Sequence, residues 1–221
     1  MKMEFEATML KAYLVGGSQD TQGRPAQLLA KVELALQNGI TMFQYREKGP
    51  GALTGAARVQ LGCQLRALCG QYACPFVVDD DLALASELGA DGIHVGQRDQ
   101  GIEAVLAAAQ AAGLFVGYSC ATAAQVARAN QLSGVAYVGS GPVFPTTSKA
   151  DADPALGIAG LAALVAQSRH PVVAIGGLNA TNLATVWTTG VAGTAVISLV
   201  LGAHDVAKAT RQFAKYAKIK S

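Results

Sequence analysis

The feature of the sequence that most constrains the fold is a regular alternation of short apolar runs with longer segments rich in alanine and leucine. Each change from one kind of segment to the other falls on glycine, proline or polar residues, which is typical of repeated βα units. The pattern predicts strands at residues 12–15, 41–45, 76–78, 92–95, 115–118, 137–139, 172–175 and 194–197. It predicts helices at about residues 26–37, 53–71, 82–88, 103–112, 123–131, 158–167, 182–188 and 206–218.

An eightfold alternation within 221 residues favours a closed (β/α)8 barrel over an open doubly wound sheet. Barrels of this class commonly contain about 200 to 250 residues in one domain. No stretch between the segments has the composition of a linker. We therefore expect a single α/β domain over residues 1–221, with an N-terminal extension over about residues 1–10.

Charge, apolar runs and cysteine spacing argue against several classes of protein. The 17 basic and 15 acidic residues are spread along the chain, unlike the basic stripe of a nucleic-acid-binding protein. No apolar run reaches the roughly 18 residues of a membrane span, and the first residues lack a signal-peptide core, so we expect no membrane partner and a cytoplasmic location. The four cysteines form no Cys-x-x-Cys pair, which argues against a zinc site.

The segment after the second predicted strand carries two cations and an amide. In a (β/α)8 barrel the chemistry lies at the carboxyl ends of the strands. Strand alternation places Gln44, Arg46 and Lys48 on one side and Tyr45 and Glu47 on the other. The first three side chains can therefore converge on one centre, which suits a diphosphate. The alternative is a solvated run of charges.

Acidic residues follow the third and fourth predicted strands. Asp79, Asp80 and Asp81 are consecutive, and we assign Asp81 to the N-cap of the helix that follows. Asp80 and Asp99 would reach the same rim from neighbouring strands, and two carboxylates can hold a Mg²⁺ ion that keeps its waters and a substrate diphosphate. His94 lies inside an apolar strand, and we interpret it as a buried histidine with satisfied hydrogen bonds.

Hydroxyl groups and glycine-rich turns follow the later strands. In barrels of this class, the loops after the seventh and eighth strands often bind a phosphate through backbone amides. Lys149 adds a positive charge that a leaving diphosphate could use. The alternative for the loop that contains it is an ordinary polar loop. The candidate residues in these turns are Ser119, Thr146, Thr147, Ser148, Gly177, Ile197 and Ser198.

Four motifs occur together and in a characteristic order: residues 44–48 (QYREK), 89–97 (GADGIHVGQ), 141–149 (GPVFPTTSK) and 174–177 (AIGG). With these motifs the chain resembles the thiamine-phosphate synthase family over nearly its whole length. The resemblance implies a TIM barrel and a transferase of thiamine biosynthesis. The implied reaction joins hydroxymethylpyrimidine diphosphate to hydroxyethylthiazole phosphate, and yields thiamine phosphate and diphosphate with Mg²⁺ as cofactor.

The resemblance also implies roles for individual residues. The diphosphate would depart first and leave an aminopyrimidine methyl cation, which the thiazole nitrogen captures. Arg46, Lys48, Ser119 and Lys149 would be the catalytic residues. The pyrimidine diphosphate would bind at Gln44, Arg46, Lys48, Asp79, Ser119 and Lys149, the thiazole phosphate at Thr146, Thr147, Ser148, Gly177, Ile197 and Ser198, and Mg²⁺ at Asp80 and Asp99.

The sequence departs from the family pattern at two informative places. Asp79 stands where the family usually has asparagine, and it adds a negative charge beside the expected diphosphate site. Cys120 and Ala121 replace a Thr-His pair whose histidine carries the chemistry of related tautomerases. Asp79 is the main reason to keep one alternative open, a regulatory or tautomerase-like barrel that binds thiazole or thiamine phosphates. A further alternative, some other phosphate-binding barrel such as an isomerase, would need a general base at the rim, and apart from Asp79 and its neighbours the sequence places none there. The expected partners are small phosphorylated substrates, and the oligomeric state, including a homo-oligomer, stays open.

Overall fold

The structure is a computed structural model that describes residues 3–97, 101–146 and 154–217. Its parallel strands close into one barrel in sequence order, and the last strand pairs with the first. The strands are β1 (Ala12–Gly16), β2 (Met42–Tyr45), β3 (Phe76–Asp79), β4 (Gly92–Val95), β5 (Phe115–Ser119), β6 (Val135–Ser140), β7 (Val172–Ile175) and β8 (Gly193–Val196). The predicted (β/α)8 TIM barrel is confirmed.

A helix follows each strand, as the alternation predicts. The α-helices in the described ranges are α1 (Pro25–Gln37), α2 (Gly55–Gln71), α3 (Leu82–Glu87), α4 (Ile102–Ala112), α5 (Ala123–Ala129), α6 (Gly157–Gln167), α7 (Leu183–Trp187), α8 (Ser198–Leu201) and α9 (Val206–Ala217), and short 3-10 helices lie at Ala7–Leu10 and Ser18–Thr21. None of these helices has the length and apolarity that a bilayer span requires. The sequence pattern does not predict α8, because four residues are too few for a helical period to be visible.

The strands are buried on both faces, which explains their almost continuous apolar sequences. All residues of β1, β2, β3 and β8 are buried. One face of each strand points to the barrel axis and the other packs against the helices. Tyr45 and Phe76, for example, stack with ring centroids 6.3 Å apart. Full burial of a side chain of this size stabilises the fold by about 1.5 to 3 kcal/mol.

Asp81 caps the helix that follows β3. Its side chain accepts a hydrogen bond from the amide of Leu84 at 2.9 Å, and it pairs with Arg58 of α2 at 2.8 Å. The predicted N-cap is therefore confirmed. A cap of this kind stabilises a helix by about 1 kcal/mol. The structural role of Asp81 leaves Asp79 and Asp80 as the acids that face the carboxyl end of the barrel.

The N-terminal segment covers the opposite end of the barrel. Phe5 packs against Phe115 with centroids 5.4 Å apart and stacks on Tyr137 at 5.6 Å. The amide of Met3 donates a hydrogen bond to Asp91, which immediately precedes β4. The described part of the predicted extension is thus packed against the strand beginnings, away from the carboxyl ends where the site is expected.

Candidate active site

A cavity of about 300 Å³ opens at the carboxyl ends of the strands. A smaller cavity of about 30 Å³ lies deeper along the barrel axis, shares several walls with the first and is also lined by Gln44 and Tyr13. The large cavity brings together these candidate residues: Arg46, Lys48, Asp79, Asp80, Ser119, Thr146, Gly177, Ile197 and Ser198. The remaining candidates, Asp99, Thr147, Ser148 and Lys149, lie outside the described residues.

The cationic side of the cavity is a network of ion pairs. Arg46 Nε lies 3.3 Å from Asp79 Oδ2, and Lys48 Nζ lies 3.4 Å from the same oxygen. Lys48 also pairs with Asp80. The side chains of Arg46 and Asp79 are 11% and 9% exposed, whereas that of Lys48 is 43% exposed. Of the two cations, Lys48 is therefore more exposed to solvent than Arg46.

The contact between Asp79 and the two cations is electrostatic rather than a set of aligned hydrogen bonds. Asp79 Oδ2 is buried and, among the described residues, has no hydrogen-bond partner, although both cationic nitrogen atoms lie within 3.4 Å. A hydrogen bond weakens steeply when its angle departs from linearity. The N–H groups of Arg46 and Lys48 are therefore not aligned on Asp79 Oδ2, and an incoming anion could compete for them.

The backbone around β2 places these side chains as alternation predicts. The amide of Arg46 donates to Gly16 O at 2.9 Å, which continues the β1–β2 pairing. The Glu47 carboxylate turns away from the cavity and accepts bonds from the amide and hydroxyl of Ser18 and from the amide of Leu53, each at 2.7 Å. Glu47 thus ties the loops after β1 and β2 together and fixes the base from which Arg46 and Lys48 extend.

Asp80 reaches the rim through an unusual backbone conformation. Its φ angle is +58°, in the left-handed region that non-glycine residues rarely adopt. The amide of Asp80 donates to His94 O at 2.8 Å, and its carboxylate accepts from the amide of Gly96 at 3.3 Å. Within the described ranges, no group of three or more acidic, histidine or cysteine side chains is placed to hold a metal ion. Asp80 is a carboxylate of the kind that Mg²⁺ prefers, and its expected partner Asp99 is outside those ranges.

The opposite wall of the cavity is made of backbone and small residues. Gly176 and Gly177 after β7 have φ angles of +96° and +68°, and the chain packs closely against the loop after β6. A Cβ atom on Gly177 would lie 2.6 Å from Phe144 O, so a larger residue does not fit there. Ser198 begins the short helix α8 directly after β8. This wall resembles the usual phosphate site of (β/α)8 barrels, which uses the loops after strands seven and eight and a short extra helix.

His94 is a functional candidate that the sequence interpretation missed. It is partly exposed and lines both cavities, so the predicted burial is wrong, whereas the prediction that its hydrogen bonds are satisfied is confirmed. Its Nδ1 lies 3.0 Å from the Tyr137 hydroxyl and its Nε2 lies 2.9 Å from Ser119 Oγ. The alternation of β4 could have revealed this position, because Ile93 and Val95 take the opposite face.

Cys120 lies in the cavity wall but is not prepared for nucleophilic or acid-base chemistry. Burial raises the pKa of its thiol to about 12, so the reactive thiolate is scarce at neutral pH. Its Sγ has a weak contact with Gln97 Nε2 at 3.8 Å. The residue therefore supplies no acid-base group to the cavity.

Comparison with known proteins agrees with this geometry. Residues 12–200 match the family model described as thiamine monophosphate synthase. The chain is 58% identical to a thiamine-phosphate synthase of Limosilactobacillus fermentum over 93% of its length and 95% of the relative, and 52% identical to that of Levilactobacillus brevis over 93% and 94%. A solved thiamine phosphate pyrophosphorylase from Pyrococcus furiosus superposes with a TM-score of 0.82 at 34% identity, over 96% of this chain and 97% of that one. The chain therefore belongs to the thiamine-phosphate synthase family of transferases.

Proposed function

We propose that this protein joins hydroxymethylpyrimidine diphosphate to hydroxyethylthiazole phosphate and releases diphosphate. One side of the cavity, the cationic wall, carries Arg46 and Lys48, and the opposite side, the glycine-rich wall, carries Gly176, Gly177 and Ser198. The observation that carries the proposal is that these two walls face each other across one cavity of about 300 Å³. Two phosphorylated substrates need two anion sites on opposite sides of a shared reaction space. The family membership of the chain supports the same assignment.

The cationic wall is assigned to the pyrimidine diphosphate. Arg46 offers a planar fork of N–H groups and Lys48 offers a compact charge, and the two side chains already approach a common carboxylate oxygen. A diphosphate oxygen could therefore be bound by both without a change of strand geometry. Charge grows on the diphosphate as its bond to the methylene carbon breaks, so these cations would stabilise the transition state more than the bound substrate.

Mg²⁺ is assigned to the acidic side of the same wall. Asp80 would hold it together with Asp99, and the ion would supply further stabilisation of the negative charge on the departing diphosphate. Asp80 is now paired with Lys48, so the lysine would exchange a carboxylate partner for the substrate. No side chain has to act as a nucleophile in this reaction, which agrees with the unreactive thiol of Cys120.

The glycine-rich wall is assigned to the thiazole phosphate. Backbone amides and hydroxyls at Thr146, Gly177 and Ser198 would bind the phosphate, with Thr147 and Ser148 completing the set. Such a site binds a phosphate while leaving the uncharged thiazole ring in the middle of the cavity. Its nitrogen could then reach the methylene carbon as the diphosphate leaves. The proposal includes a cytoplasmic location, which cell fractionation tests. The oligomeric state, for which a homo-oligomer is one alternative, is measured by light scattering.

A direct assay tests the proposed function. The protein is mixed with both substrates and Mg²⁺, and thiamine phosphate is measured by chromatography. Arg46→Gln should strongly reduce product formation, whereas the matched change Arg128→Gln should not, because Arg128 is exposed and pairs with Glu103 on the surface. Absence of product with the wild-type protein would refute the proposal.

Asp79 favours one second candidate, a regulatory barrel that binds a thiazole or thiamine phosphate without turnover. Its carboxylate already accompanies both cations and would repel a diphosphate. Calorimetry with each phosphate separates the two candidates. Binding of a thiazole phosphate without binding of the pyrimidine diphosphate would support the regulatory function.

A further inference from the structure

A row of hydrogen-bonded side chains crosses the barrel beneath the large cavity. Gln44 Nε2 donates to the Tyr13 hydroxyl at 2.7 Å, and the hydroxyls of Tyr13 and Tyr137 are 3.0 Å apart. Tyr137 in turn contacts His94 Nδ1 at 3.0 Å, and His94 Nε2 contacts Ser119 Oγ at 2.9 Å. The five side chains come from β2, β1, β6, β4 and β5, so the row joins strands that are distant in sequence.

In each hydrogen bond of this row, the donor is the side chain nearer to Gln44 and the acceptor is the one nearer to Ser119. A tyrosine hydroxyl carries one hydrogen, and burial raises the pKa values of Tyr13 and Tyr137 well above the usual range, so both keep it. Tyr13 accepts the hydrogen of Gln44 and therefore directs its own to Tyr137. If Tyr137 donated to Tyr13 instead, the buried Tyr13 hydrogen would have no acceptor among the described residues, at a cost of about 1 to 3 kcal/mol.

The direction of these hydrogen bonds determines which ring nitrogen of His94 carries the hydrogen. Tyr137 accepts from Tyr13, so its own hydrogen is directed to His94 Nδ1. Nδ1 must then be the bare nitrogen, and the ring hydrogen of the neutral histidine is on Nε2. Nε2–H donates to Ser119 Oγ. The Ser119 hydroxyl, having accepted this bond, keeps its own hydrogen for a group in the cavity, since no second described residue takes it.

Two glycines make room for the row. A Cβ atom on Gly117 would overlap the Tyr137 ring and crowd His94 Nδ1, and one on Gly139 would lie 2.9 Å from His94 Cε1. Real Cβ atoms essentially never approach other atoms so closely. The interior faces of β5 and β6 therefore lack side chains at the points where the two rings lie. The ring positions are built into the barrel by these strands as well as by the hydrogen bonds.

We propose that Tyr13, Tyr137 and His94 act as positioning residues for the pyrimidine substrate. They fix the direction of the hydrogen bonds that run from Gln44 to Ser119, so the Ser119 hydroxyl faces the cavity as a donor. The matching group on the substrate is an acceptor nitrogen of the aminopyrimidine ring. A pyrimidine that presents a donor at this place would be rejected, because two hydrogens would then meet. This inference rests on the proposed function.

Nitrogen NMR of the histidine side chains tests the direction without any assay of function. The protein is labelled with ¹⁵N at its three histidines and measured in mildly alkaline buffer without substrates, and the His94 signals are assigned by their loss in His94→Gln. We expect a protonated Nε2 and a bare Nδ1 at His94. A hydrogen on Nδ1 would mean that the row runs in the reverse direction, and would overturn the proposal.

Steady-state kinetics test the consequence for the substrate. Tyr137→Phe removes the donor to Nδ1 and should raise the KM of the pyrimidine diphosphate about five- to tenfold, the effect of one neutral hydrogen bond, without changing that of the thiazole phosphate. Tyr45→Phe is the matched control, since this buried tyrosine donates to Arg58 O on the helix side of β2 at 2.9 Å. His94→Gln, which keeps an N–H near Ser119, should retain more pyrimidine affinity than His94→Leu.

The outcomes of the two tests are distinguishable. An unchanged pyrimidine KM in Tyr137→Phe, or equal changes for both substrates, would overturn the positioning role. Loss of the proposed function itself would appear as inactivity of the wild-type protein, whereas the protonated nitrogen of His94 is observable in the protein alone. A variant that fails to fold is recognised by its circular dichroism, and the wild-type NMR result then decides.

Discussion

Asp79 should weaken the binding of the pyrimidine diphosphate, and Asp79→Asn should strengthen it. The carboxylate lies 3.3 Å from Arg46 Nε and 3.4 Å from Lys48 Nζ, so an anion bound by the same two nitrogens would lie within about 6 Å of it. At an effective dielectric constant of about 20, two unit charges at that distance repel by about 2 to 3 kcal/mol. Screening by Mg²⁺ and solvent reduces this value. We expect the KM of the pyrimidine diphosphate to fall by about ten- to a hundredfold.

The control for this change is Asp81→Asn. Asp81 caps α3, and asparagine is an equally good cap, so this variant should leave the KM unchanged. Asp79→Asn should also lower the melting temperature by a few degrees, because the mostly buried Arg46 loses its anionic partner at a cost of about 1 to 2 kcal/mol. Steady-state kinetics and differential scanning fluorimetry measure the two effects. An unchanged or higher KM in Asp79→Asn, with Asp81→Asn silent, would refute the electrostatic argument.

Four further predictions follow from the site. Asp80→Ala and Asp99→Ala should each abolish Mg²⁺-dependent turnover with the circular dichroism unchanged, and full activity in either would contradict the metal assignment. Lys149→Ala should slow single-turnover bond cleavage about 10²- to 10³-fold in rapid-quench experiments, and Lys149→Arg should restore the rate only in part. Equal cleavage rates in the wild type and Lys149→Ala would show that this lysine does not act on the diphosphate. Ser148→Ala should raise the KM of the thiazole phosphate. If only the KM of the pyrimidine substrate changed, the two substrates would have been assigned to the wrong sites. Glu47→Gln should lower the free energy of unfolding by about 2 kcal/mol in urea titrations, since an amide cannot accept all three bonds of the carboxylate, and unchanged stability would contradict that role.

The barrel and its rim could be predicted because the information is local in sequence. The period of apolar residues gives each strand, and the side chains just after a strand necessarily lie at its carboxyl end. Arg46, Lys48 and Asp80 were placed at the rim in this way, and the structure brings them into one cavity. Asp81 was identified as a cap because capping depends on a few adjacent residues.

The polar row beneath the cavity could not be predicted because it depends on distant parts of the chain. Tyr13 and Tyr137 are separated by 124 residues, and nothing in either neighbourhood shows that their hydroxyls meet. A tyrosine in an apolar strand is compatible with either face of the barrel. The exposure of His94 to the cavity could not be predicted for the same reason, since the partners of its ring come from β5 and β6. The left-handed conformation of Asp80 could not be predicted either, because the hydrogen bonds that accompany it join Asp80 to His94 and Gly96, which lie on and after the next strand.

The covering of one barrel end by Phe5 has a practical consequence for handling the protein. Phe5 lies against Tyr137 at the strand beginnings, whereas substrates would enter at the carboxyl ends. An affinity tag or a biotin joined ahead of Met3 would therefore anchor the molecule to a sensor surface with the entrance of the cavity facing the solution. Trimming the chain past Phe5 would instead remove the aromatic seal and let water reach the ring of Tyr137 from below.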